Sequence, residues 1–171
     1  MNDTLKTIFT RRSTRKFLRK PIPEEELQQI VKAALCAPSA RGLQTWKFTV
    51  VENREKIQEL AGVIGEVLGR SGYGMYQPEV LIIPSNQKES PYGKEDNACA
   101  MENIFLAAHS LGIGSVWINQ LQGICDDPKV RQILSKLEIP ADHVVYGMAA
   151  LGYGELPSDD KKRTGEVTYI R

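Results

Sequence analysis

The chain has 171 residues, 42% hydrophobic and 25% charged, with 22 basic and 21 acidic side chains leaving a formal net charge of +1. These are the proportions of a single soluble globular domain, 1–171, with enough chain for a full core. The near-neutral balance argues against a nucleic-acid binder that works by charge, and no apolar run approaches the roughly 18 residues a membrane span needs.

Leu5, Ile8 and Phe9 fall at helical spacing and predict a short helix over 3–11 with Asp3 as its cap. The basic stretch RRSTRKF, residues 11–17, follows directly. Pro23, three glutamates in the first turn and an apolar stripe through Leu27, Ile30, Val31, Ala34 and Leu35 predict a second helix that Pro38 stops. PSARGLQTW (38–46) is a polar loop leading to Trp46, read as a core residue just before a strand. In KFTVVEN (47–53), Phe48 and Val50 alternate against Thr49 and Val51, which predicts a strand. A helix over 54–69, weakened by Gly62 and Gly65, leads into a glycine-punctuated loop over 69–79.

VLIIP (80–84) reads as a buried strand, 95–111 as a long apolar helix ended by Gly112, and 114–119 as another strand. Asp126 or Asp127 caps a helix opening at Pro128. Residues 143–154 form the last core strand, and the tail KKRTGEVTYIR is extended. This alternation predicts a sheet with helices on both faces. So many apolar surfaces in so short a chain also point to a partner subunit.

The N-terminus has no apolar stretch of signal-peptide length, so a cytoplasmic location is expected. Cys36, Cys99 and Cys125 form no C-x-x-C pair and read as buried small hydrophobes in a reducing compartment. With His109 and His143 the only imidazoles, no metal site is expected. His109 and Glu102 read as ordinary residues of the long helix. LGIGSVW follows a helix rather than a strand, which defeats a dinucleotide-fold reading. No Ser-His-Asp or Cys-His pattern supports hydrolysis.

The strongest constellation joins the basic loop to PSARGLQTW. Arg11, Arg12 and Arg15 supply permanent cationic donors, and Ser13 and Thr14 add hydroxyls, a set that suits a phosphate monoester. The same arginines could instead complement the negative end of the first helix. Ser39 and Gln44 can offer hydrogen bonds to the polar edge of a flat heterocycle.

RRSTRKF, PSARGLQTWKF, LAAHSLGIGSVWIN, LGYGELP and KKR, in this order, resemble the FMN-dependent nitroreductase family over about residues 7 to 163. The resemblance implies an α+β fold, a mainly antiparallel central sheet sandwiched by helices, in an intertwined homodimer with FMN at the interface. It implies that Arg11, Arg12 and Ser13 meet the FMN phosphate and ribityl chain, with Arg15 near flavin N1 and the C2 carbonyl. Pro38, Ser39 and Ala40 would come from the other subunit, and Gln44 would reach the ribityl chain or the pyrimidine edge. Trp117, Ile118 and Asn119 match a strand end lying along the ring, and Lys161 and Arg163 match a K-x-R pair that closes over the phosphate. Two features depart from the family. Its N-x-Q-P-W reads here as Gly42-Leu43-Gln44-Thr45-Trp46, and its lid helices are reduced to GRSGYGMYQ and QKESPYGKE.

The activity this implies is a ping-pong hydride transfer from NADH or NADPH, through flavin N5, to a nitroaromatic, quinone or similar planar acceptor. No side chain is expected as a catalytic acid. Related flavin chemistry (dehalogenation, enone reduction or flavin fragmentation) and a non-catalytic FMN-storage role are the alternatives.

Overall fold

In the computed structural model, which describes residues 1–155 and 163–171, five α-helices pack around a five-stranded sheet. α1 spans Asp3–Thr10, and its cap is Asn2 rather than Asp3: the Asn2 Oδ1 accepts from Leu5 N at 2.9 Å. Asp3 takes a first-turn position, where its charge suits the helix dipole. α2, Glu24–Leu35, follows Pro23 as its sequence suggests and buries Leu27, Ile30 and Ala34.

The strands are β1 (Trp46–Val51), β2 (Val80–Gln87), β3 (Gly114–Ile118), β4 (His143–Val144) and β5 (Met148–Gly152), ordered β1-β2-β5-β3, with β4 also on β2. All these pairings are antiparallel, with Phe48 opposite Pro84, Ile82 opposite Ala149 and Val116 opposite Ala150. α3 (Arg54–Val67), α4 (Gly93–Ser110) and α5 (Pro128–Lys136) complete the layers, with Asp127 capping α5.

The expected strand over 143–154 is broken, and β2 supplies the reason. β5 pairs with Val80–Ile82 and β4 with Asn86 and Gln87, leaving Pro84 between the two pairings. Proline has no N–H to give a ladder, so the opposite chain departs at 145–147. The freed Val145 N–H donates to Cys125 Sγ at 3.3 Å instead.

β2 also explains the sandwich. Leu81 and Ile83 face a core built with Ile57, Leu60 and Ile64 of α3 and Val130, Ile133 and Leu134 of α5. Val80 and Ile82 face Ile30 of α2 and Met101 and Ile104 of α4. A strand covered on both faces reads as an unbroken apolar run, as VLII does.

α4 starts at Gly93, two residues before its expected start, and its side chains meet α2 and the segment beyond it in antiparallel order. Asn103 donates to the Ala33 carbonyl at 2.9 Å, and Asp96 meets Ser39 and Ala40. Cys125 is buried as expected, but Cys36 and Cys99 are exposed. Cys36 is the C-cap residue of α2, and Cys99 lies on the side of α4 turned away from the sheet. Trp46 is only half-buried, its ring 5.5 Å from that of Phe48, so it is not a core tryptophan. Among the described residues no helix is long and apolar enough to cross a membrane.

Candidate functional site

The basic loop is built into the fold by backbone contacts. Thr14 N donates to Ser115 O at 2.9 Å, Ser13 bridges Ser115 in parallel, and Phe17 bridges Gly154. The loop passes where two glycines leave room. A Cβ on Gly114 would stand 2.5 Å from Thr14 Oγ1, and one on Gly154 would stand 2.2 Å from Lys16 O. Thr14 is therefore fully buried, and its hydroxyl packs inward rather than joining the donors of the loop. Among the described residues its Oγ1 and the neighbouring Ser115 Oγ have no hydrogen-bond partner.

The arginines divide between two tasks. Arg12 Nη1 donates to the carbonyls of Phe9 and Arg11, both at 3.2 Å, which is the helix-end role set out above as the alternative. Arg11 turns the other way and lies 5.9 Å from the centre of the Phe105 ring on α4. Arg163 comes back from the far end of the chain, its Nη2 donating to Arg11 O at 3.4 Å. Arg15 is exposed. Among the described residues Arg11, Arg15 and Arg163 form no salt bridge. Lys161 lies outside the described residues.

β3 runs from this clamp towards its own C-terminal end. Strand alternation sends Val116 and Ile118 into the core beneath α3 and α5, while Trp117 lies over Phe105 with ring centres 6.1 Å apart. Ile118 thus has only its backbone to offer a ligand. Trp117 is 37% exposed, and its Nε1 donates to Asn119 Oδ1 at 3.2 Å.

The loop over 38–44 is held by one carboxylate. Ser39 Oγ donates to Asp96 Oδ2 at 2.7 Å, Ala40 N donates to Asp96 Oδ1 at 2.9 Å, and Gln44 N donates to Ser39 Oγ at 2.9 Å. Asp96 is 3% exposed, and sequence reasoning missed it. The available signal was an acid beside the small-residue run of NACA, since a buried carboxylate needs dedicated donors. Gly42 sits at φ +64, a left-handed conformation that glycine and asparagine tolerate best.

His109, read from the sequence as an ordinary residue of the long helix, stands at the end of α4 next to the basic loop. In the last turn of α4, its Nε2 lies 2.8 Å from Thr10 Oγ1. Burial first, then Arg11 and Arg12, hold its pKa below the usual histidine value. Asp96 and His109 are 13 positions apart on α4. At the helical rise that is about 20 Å, so one chain places the basic clamp and the 38–44 loop at opposite ends of the helix.

The profile of the nitroreductase family matches residues 8–73 and 68–153. A nitroreductase with bound FMN from Bacteroides fragilis is 41% identical, with a TM-score of 0.92 over 100% of both chains. An NADPH-flavin oxidoreductase of Vibrio harveyi is 31% identical over 95% of this chain and 70% of its own length. A relative from Archaeoglobus fulgidus, named for NADH dehydrogenase and NAD(P)H nitroreductase activity, is 35% identical over 94% of this chain and 89% of its own. The chain belongs to the nitroreductase family.

Proposed function

We propose that this protein is an FMN-dependent NAD(P)H oxidoreductase that works as a homodimer and reduces a planar acceptor, a nitroaromatic or quinone, by a ping-pong cycle. The observation that carries this reading is the gathering of Arg11 and Arg163, with Arg11 and the half-exposed Trp117 both against the Phe105 ring, and with no carboxylate paired to either arginine among the described residues. Cations held together without an internal counter-charge suit an anionic ligand, and guanidinium suits phosphate best. The residues therefore fit FMN. When bound, FMN supplies the hydride chemistry between nicotinamide and acceptor.

The chain supplies binding, orientation and charge. Arg11, Ser13 and Arg163 take the phosphate and the start of the ribityl chain, with Arg12 fixing the loop to α1. Trp117, the Ile118 backbone and Asn119 form the wall along the ring. Arg15 holds a cation at the ring edge where negative charge gathers on reduction. The segment Pro38, Ser39, Ala40 and Gln44 belongs to the site of a second copy, because its own clamp lies about 20 Å away along α4. The exposed Leu5, Ile8 and Phe9 of α1, and a groove of ≈ 390 Å³ between α1 and α4, support burial of this face by that copy.

The test is the visible spectrum of the purified protein, followed by NADH or NADPH oxidation with a quinone. Flavin bands and acceptor-dependent oxidation are expected. A colourless protein that FMN cannot reconstitute overturns the reading, whereas a yellow protein without turnover leaves the storage role.

A further inference from the structure

His109 contributes a feature that the arginines cannot. The single hydroxyl proton of Thr10 goes to Lys6 O at 2.8 Å, so Thr10 Oγ1 must accept from His109. The neutral imidazole therefore carries its proton on Nε2, and Nδ1 is the atom left to titrate. Among the described residues Nδ1 has no hydrogen-bond partner.

Among the described residues, the charged groups facing the ring are Arg11 and Arg12, from the loop after α1. α1 itself contributes the neutral Thr10. On α4, Phe105 lies one turn back beneath Arg11, and the exposed Glu102 lies two turns back. Arg163 joins from the C-terminal segment through Arg11 O. Partial burial first, then the charge of Arg11 and Arg12, disfavour the protonated imidazole and hold its pKa below the usual histidine value. A phosphate monoester carries close to two negative charges and offsets most of that positive potential.

We propose that His109 is a proton-switched member of the phosphate clamp, taking up a proton at Nδ1 when the phosphate of FMN binds. This rests on the FMN reading above and adds a property to it: FMN affinity is linked to pH through one side chain, and riboflavin affinity is not. The sign follows from linkage. A ligand that raises the pKa of a group binds more tightly as the pH falls through that pKa. The phosphate's own second ionisation, at about pH 6, works in the opposite direction, so the linkage must be read against a variant that lacks the imidazole.

The chain has two histidines, which makes their imidazole signals easy to follow by NMR as the pH is varied. His109→Gln assigns them and keeps an N–H donor for Thr10. The His109 pKa is expected to rise by about one unit with FMN and to stay nearly fixed with riboflavin. One unit equals about a tenfold linkage. The ratio of wild-type to His109→Gln affinity for FMN should therefore grow about tenfold from pH 8 to pH 5. An unmoved pKa, an equal rise with riboflavin, or a flat affinity ratio overturns the proposal while leaving FMN binding intact. Failure of FMN to bind at any pH overturns both this inference and the reading beneath it.

Discussion

The two loops that supply most of the assigned site are anchored in opposite ways. The basic loop 11–17 is held by backbone bridges to Ser115 and Gly154 and by close packing against two glycines. The loop 38–44 rests on side-chain chemistry, with Asp96 accepting from both Ser39 and Ala40. The first anchoring depends on shape, so it tolerates many changes of charge and almost no added volume. The second depends on one carboxylate, so a single atom-for-atom change can release it. Arg11 and Arg15, unlike Arg12, can therefore be removed without disturbing the frame of the loop, and the two ends of α4 can be tested separately.

The largest effect is expected at Gly154. Its Cβ would meet the Lys16 carbonyl, a backbone atom that cannot rotate away. Gly154→Ala should cost about 3 kcal/mol in urea unfolding and abolish FMN binding. Near-normal stability would show that the loop is less tightly threaded than this.

Asp96→Ala comes next, at roughly 2 kcal/mol, because it strands the Ser39 hydroxyl and the Ala40 N–H. Hydrogen exchange sharpens the contrast. The Ala40 amide should lose protection, while the Thr14 amide, bonded to Ser115 O, should keep it. Parallel loss at both amides would mean that the two loops are one unit.

Arg11→Ala or Arg163→Ala should weaken FMN binding by roughly 1.5–3 kcal/mol, with riboflavin much less affected. Equal losses for both ligands would show that neither arginine reads the phosphate. Mixing Arg11→Ala with Asp96→Ala subunits then tests the division of the site between chains. In a two-fold dimer each mixed pair regains one complete site, so roughly a quarter of all sites should recover. No recovery would place both loops in the site of a single chain.

The smallest effect concerns Arg15, which is exposed and has no salt-bridge partner among the described residues. Arg15→Gln should lower the midpoint potential of bound FMN by about 30 mV, since solvent screens an exposed cation. An unchanged potential in a spectroscopic redox titration would remove the role assigned to it.

Much of this molecule was decided by local chemistry. Helical spacing located α2 and α4, Pro128 with Asp127 set the start of α5, and VLII announced a strand covered on both faces. Each of these signals is written in residues a few positions apart, and RRSTRKF displays its charge in the same way. What the tertiary structure alone decided depends on residues far apart in the chain. The break between β4 and β5 follows from Pro84, just over sixty positions earlier, because a missing N–H matters only to the strand laid beside it. Asp96 became an anchor because folding removed it from water beside two donors, and Thr14 left the donor set because Gly114 admitted it to the interior. Charge and periodicity are properties of the sequence, whereas burial, and the partner each buried polar group must find, exist only once distant segments have met.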